Sequence, residues 1–329
     1  FIKQFISQKH KLSFENLNLR LVDKKVPVFT LKNIQFANYG YKKNLIRGKV
    51  FEKNFKVRIG DNYKNINFNL LNSGINTDII FNDNYKKDIQ SGIFKSKILN
   101  TNFKSNFEYD GKTLRIYDSY FRSKNLSFKN ESEIIINPFL DINSKIFVEE
   151  FNTQISKKVD FTQLNNFKEA LRKINSKSEI TFKPKKFNRK FFDDLNLKIN
   201  LAYGRMNYSK TLSIEKNIFQ CEGSINFLEE YPVLFFDCYV EAVNKKELLK
   251  KFSIRSKNKD ESFELNVKGN FSILNRKVNF KKISINEGYN ASKEDLKYFK
   301  ETFEKIFLNK KNFEIFDLKK IKKFILEIS

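Results

Sequence analysis

Few side chains in this sequence have the type and spacing that chemistry requires. His10 is the single histidine, so a Ser-His-Asp triad or a histidine metal site would rest on it alone. It reads as a surface residue. Three acidic doublets, Glu149–Glu150, Asp193–Asp194 and Glu229–Glu230, come nearest to paired carboxylates for acid–base work. In a strand, adjacent residues point to opposite faces; in a turn, both are solvated. Neither arrangement makes a shared proton site. Gly60, Gly74 and Gly92 are isolated in turn contexts and build no phosphate-cradling loop. The sequence therefore assigns no catalytic residue, no metal ligand and no cofactor.

Cys221 and Cys238 are the pair with a geometric signal. They flank the segment Phe227 to Pro232, which reads as a hairpin turn, and are symmetric about Glu229–Glu230. With that register they face each other on paired strands, within reach of a cross-strand disulfide. A slip of one residue would put them on opposite faces. Two readings stay open: a disulfide, suited to an oxidising compartment, or two reduced, buried thiols. Two thiols with no nearby histidine do not make a zinc site.

The elements that must position these residues are mostly strands. Apolar residues alternate with polar ones at Leu17–Leu19–Leu21, Ile66–Phe68–Leu70, Leu114–Ile116, Leu126–Phe128, Ile134–Ile136 and Ile146–Val148. The pattern continues at Leu195–Leu197–Ile199–Leu201, Ile225–Phe227 and Phe263–Leu265–Val267. It extends through Phe271–Ile273, Val278–Phe280 and Ile283–Ile285. Short polar turns between such runs predict an antiparallel, meander-like sheet. Helical spacing is expected at Leu164–Phe167–Leu171–Ile174 after a capping box at Asp160, and from Ser292 through Leu296, Phe299, Phe303 and Ile306. A third helix is expected from about Phe313 to Ile328, and a short one at Lys245–Lys251. The last helix sets Lys319, Lys320, Lys322 and Lys323 beside an apolar stripe. Helices lying on membrane surfaces share that arrangement with helices packed on the end of a sheet.

The 329 residues include 37 Phe and no Trp, and 40% are hydrophobic, which excludes a disordered chain. The net charge of +25 invites a nucleic-acid reading. Only ten of the 63 basic residues are Arg, the better bidentate reader of phosphate and guanine, and the Lys are spread evenly along the strands. No nucleic acid is expected, and a basic nucleic-acid-binding module stays only as the lesser alternative; a dispersed lysine field suits anionic headgroups at least as well. No run approaches the ~18 apolar residues of a membrane-spanning helix. The chain opens on Phe1, not Met, and is expected to be a fragment or a trimmed region of a longer one.

Two segments, Leu114 to Phe139 and Phe263 to Asn286, share a strand-turn-strand rhythm that suggests an array of β units. Together with Leu12 to Phe36 ("LSFENLNLRLVDKKVPVFTLKNIQF"), they carry a resemblance to the AsmA-like proteins, the superfamily that includes TamB-type chains. The resemblance implies a long twisted β-sheet curled like a taco shell, with a few capping helices. Its apolar interior would carry phospholipid acyl chains between the inner and outer membranes of a Gram-negative envelope. The chain would face the periplasm, tethered to the inner membrane by an N-terminal anchor, with membranes or their proteins as partners. Relatives are usually much longer.

On that reading, residues 1–160 are β-groove repeats, 161–175 an inserted helix, 176–290 further β-groove repeats and 291–329 a C-terminal helical cap. The groove-lining candidates are Leu195, Leu197, Ile199, Leu201, Ile225, Phe227, Phe263, Leu265, Val267, Phe271, Ile273, Val278, Phe280, Ile283 and Ile285. The same residues would form the core of a closed, ligand-free β-sandwich, structural or adhesive. Periodicity does not choose between these.

Overall fold

A computed structural model describes residues 10–23, 26–50, 52–60, 64–83, 89–98, 101–122, 126–135, 140–151, 171–172, 174–182, 192–255, 262–308 and 317–328. Nineteen strands make one open, mostly antiparallel sheet, and three α-helices accompany it among the described residues. The chain divides into two compact units, Phe1–Lys124 with Phe128–Ser144, and Asn125–Ser127 with Lys145–Ser329.

In the first unit, the chain runs through β1 (Ser13–Asp23), β2 (Val26–Ala37), β3 (Leu45–Val50), β4 (Lys53–Ile59), β5 (Asn65–Leu70), β6 (Ile75–Phe81), β7 (Gln90–Ile98), β8 (Thr101–Tyr109) and β9 (Thr113–Arg122). Each pairs antiparallel with the next. Alternation puts Val57, Phe68, Thr77, Ser96 and Phe103 in one row across successive strands. The polar members of that row satisfy each other, Thr77 Oγ1 lying 2.9 Å from Ser96 Oγ. Phe94 and Phe107 pack with ring centroids 4.5 Å apart, and the Phe107 ring crosses Gly92, where an added Cβ would meet it at 2.8 Å. His10 sits at the exposed start of this unit, its carbonyl accepting a hydrogen bond from Asn38 Nδ2 at 2.7 Å.

β10 (Leu126–Ile135) and β11 (Leu140–Phe151) follow. The second unit continues with β12 (Ile174–Phe182), β13 (Asp194–Ala202), β14 (Arg205–Ile214), β15 (Asn217–Asn226), β16 (Val233–Ala242), β17 (Phe263–Ser272), β18 (Lys277–Ile285) and the short β19 (Tyr289–Asn290). These also pair in chain order, all antiparallel. The helices are α1 (Lys245–Lys251), α2 (Lys293–Phe303), prolonged by a π-helical turn Glu304–Leu308, and α3 (Leu318–Ile328). α2 starts where expected, after Ser292, and Ser292 and Asp295 close it with a capping box.

Several boundaries differ from expectation. Most of the inserted helix predicted over 161–175 lies outside the described residues, but Ile174, its last apolar position, opens β12. Ile174 is β-branched, a type that favours strand over helix. Residues 313–316 of the last predicted helix also lie outside the described residues; α3 begins at Leu318. Ile273 belongs to the turn after β17, not to the strand, and its N–H donates to the Pro232 carbonyl. Ile285, at the end of β18, is largely exposed.

Two hairpins of the second unit close through unusual pairs. Tyr203–Gly204 joins β13 to β14, and Glu215–Lys216 joins β14 to β15, with positive φ at both residues of each pair. Such two-residue turns match the twist of the strands they join but normally use Asn or Gly. At Glu215–Lys216 the fully buried Asn217 supplies compensation. Its Nδ2 donates to the carbonyls of Ile214 (2.8 Å) and Glu215 (3.0 Å), while its Oδ1 accepts from the Asn244 N–H (3.0 Å).

Candidate functional site: an apolar face in the second unit

Strand register places most of the predicted lining residues on one side of the second unit, while Phe227 and Ile273 lie beyond the ends of β15 and β17. Four rows run across the strands. The first is Phe182–Leu195–Leu212–Phe219–Val240–Leu265–Ile285, and the second is Ile180–Leu197–Lys210–Cys221–Cys238–Val267–Ile283. The third is Ser178–Ile199–Tyr208–Gly223–Phe236–Gly269–Phe280, and the fourth is Ser176–Leu201–Met206–Ile225–Leu234–Phe271–Val278. Each row spans six interstrand spacings, about 29 Å at ~4.8 Å apiece.

A bulge makes this alignment possible. The pairing of β17 with β18 skips Lys281, so Lys268 faces Lys282 while Gly269 faces Phe280. The skipped residue reverses the parity of β18 and brings Val278 and Phe280 onto the same side as Ile283 and Ile285. The opposite side is polar: Asn196, Lys198, Thr211, Glu222, Asp237 and Lys268 alternate with the apolar set, and Asp237 pairs with Lys268 across the strands.

Coverage of the apolar face is uneven. Beside the first row, Leu248 of α1 packs with Leu212, Ile214 and Ala242, and Phe192, Phe219, Phe252 and Phe263 close around them. The Asn244 side chain caps α1 by accepting from the Glu247 N–H. In the fourth row Ile225 (3% exposed), Phe271 and Val278 (2%) are buried, as is Phe227 one residue beyond β15. At the β18 end, Phe280 meets Phe303 with centroids 5.9 Å apart, and Phe303 in turn contacts Phe307 and Phe324. The Val278 N–H donates to Glu304 Oε1, so the last turns after α2 occupy an edge group of the sheet. Between these borders, Leu197, Ile199, Tyr208, Cys221, Phe236, Cys238 and Val267 stay only half-buried.

Within this middle lane the two cysteines face each other in register and are joined as a disulfide. Gly223 and Gly269 lower the floor of the lane. The Tyr208 ring crosses the first and the Phe236 ring the second, so an added Cβ would meet those rings at 2.7 Å. Lys210 lies beside the disulfide, and burial pulls its ammonium below the ordinary lysine value. Burial pushes the Tyr208 phenol upward, keeping it a neutral hydrogen-bonding group.

The acidic doublets make no shared site. Glu149–Glu150 lie side by side in β11, whereas Asp193–Asp194 and Glu229–Glu230 are exposed at strand ends and turns. Among the described residues, no group of three His, Cys, Asp or Glu is placed to hold a metal ion, and no helix is long and apolar enough to cross a membrane. In α3, Phe324 packs on Phe303 and Phe307, while Leu326 stays exposed. No protein-family profile matches the chain, and no curated protein or solved structure is similar to it.

Proposed function

We propose that the chain is a non-enzymatic lipid carrier. Its sheet curls around the apolar face into a groove that shelters phospholipid acyl chains and passes them between two membranes. The observation that carries this reading is the middle lane of the second unit, where apolar side chains from five strands, β13 to β17, lie in register and remain half open to solvent. Apolar side chains kept half open along a lane are costly unless something covers them. An acyl chain laid there gains about 0.8 kcal/mol per buried methylene without any directed polar contact. The lane runs across the strands, so a sheet extended by further strands extends the path.

The resemblance to AsmA-like proteins supports the same assignment and adds the setting. That setting is the periplasm of a Gram-negative cell, with phospholipid moving between inner and outer membranes and membrane proteins at the ends. A disulfide between Cys221 and Cys238 fits an oxidising compartment.

The test is native mass spectrometry of the chain purified gently from a bacterial envelope, beside an Ile199→Asp variant. We expect phospholipid bound to the wild type, little bound to the variant, and the same β-sheet circular dichroism in both. A wild-type protein that carries no lipid, under conditions that keep other lipid carriers loaded, would contradict the proposal.

A further inference from the structure

Helix α3 carries four lysines against one glutamate, and none of its residues is buried. Phe324 packs on Phe303 and Phe307, and Lys322 Nζ donates to the Ser253 carbonyl at 2.7 Å, so the helix is held to its own unit. Neither contact uses the strip formed by Lys319, Lys323 and Leu326. These three are spaced i, i+4 and i+7, which sets them on one side of the helix, and all are exposed, Leu326 at 54%. At the end of α3 the Tyr298 hydroxyl of α2 donates to the Glu327 carbonyl at 2.8 Å. That bond brings a second exposed ring side chain, at 48%, to the last turn.

Lysines that flank an exposed leucine suit one kind of partner. The boundary between headgroups and acyl chains offers negative charge and an apolar layer within reach of neighbouring side chains. A nucleic acid would take up the lysines and leave Leu326 in water. Tyrosine fits the same boundary, because its ring is apolar and its hydroxyl is wet.

We propose that the outer strip of α3 docks the chain on an anionic membrane surface. The helix lies along the bilayer plane, Leu326 enters the headgroup layer, and Lys319 and Lys323 meet lipid phosphates. Such docking is reversible, since one leucine and two lysines are far less than a stable anchor requires. This face is separate from the middle lane, and docking does not depend on lipid occupying that lane.

Flotation of the full chain with vesicles tests the proposal, using phosphatidylcholine alone and phosphatidylcholine mixed with phosphatidylglycerol. The wild type should float with the mixed vesicles and lose that binding as salt rises. Lys319→Gln combined with Lys323→Gln should weaken partitioning about twentyfold, at about fivefold per lysine near an anionic surface. Leu326→Ser should weaken it about tenfold at low and high salt alike. Because the whole chain has a net charge of +25, a control removes the same charge from the polar side of the sheet, through Lys198→Gln with Lys282→Gln. That control should keep nearly all the binding. Equal losses in the two double variants would assign the attraction to the dispersed lysines and overturn the role of α3. Unchanged binding of Leu326→Ser, or a wild type that stays behind from the mixed vesicles, would also overturn it. Every substituted side chain is exposed, so circular dichroism should be the same throughout. A failure here leaves the acyl-chain reading standing, since that reading is tested by lipid carried in solution.

Discussion

At Ile225 and Val278 the apolar face of the second unit is shut, while at Ile199 and Val267, one or two rows away, it stays half open. All four residues are β-branched and aliphatic, and all lie on the same side of one register. What separates them is the company above them. The shut positions lie beside the Phe227–Pro232 hairpin and the C-terminal helical turns, which reach the third row only at its β18 end, where Phe303 meets Phe280. Closure here is a property of a few non-strand segments, each of which can be weakened in turn.

The largest contrast comes from placing the same charge in both settings. Val278→Asp should cost roughly 3–5 kcal/mol of stability in urea unfolding, because a buried carboxylate finds no counter-charge. Val267→Asp should cost about 1–2 kcal/mol, since water reaches it. Equal losses would erase the distinction between shut and open rows. Next in size, Leu248→Ala should cost about 2–4 kcal/mol by emptying the contact between α1 and the first row. That loss should appear with increased hydrogen exchange in β14 and β16, whose buried residues Leu248 covers.

Asn217→Ala should cost about 2 kcal/mol, because it strands the Ile214 and Glu215 carbonyls and the Asn244 N–H together. The smallest effect concerns the border at β18. Asp295 accepts the Ser292 N–H, and that bond, with the Tyr289 hydroxyl behind it, holds its carboxyl below the ordinary aspartate value. A depressed carboxylate stabilises the fold above its unfolded pKa and loses that contribution as pH falls through the folded value. Asp295→Asn should therefore lower stability slightly near neutral pH. Its deficit should shrink in acid, below the ordinary carboxylate range. A deficit that does not change with pH would remove the carboxylate from the account of the cap.

Much of this architecture was legible in alternation. Leu195 to Leu201 and Phe263 to Val267 read directly as strands with one apolar side, and the symmetry of Cys221 and Cys238 about Glu229–Glu230 is the register observed. Other parts were hidden for physical reasons. Strand β14 escapes the apolar pattern because Lys210 interrupts Met206, Tyr208, Leu212 and Ile214. The signal was its flanking apolar residues at two-residue spacing. Glu215–Lys216 carries no turn residue, since the Asn217 amide does the work that Asn or Gly would do within the turn. The bulge at Lys281 leaves no local mark, as only the partner strand counts the missing residue. Which rows are open was not readable at all. Coverage depends on where Leu248 and Phe303 arrive in three dimensions, and periodicity within a strand contains nothing about that.

Photocrosslinking with a phospholipid bearing a diazirine in its acyl chain tests the central claim most directly. After irradiation and peptide mapping, label should fall on the middle lane, at Leu197, Ile199 and Val267, and spare Ile214 and Ala242 beneath α1. Label confined to the polar side, around Lys198 and Glu222, or no label above background, would contradict it.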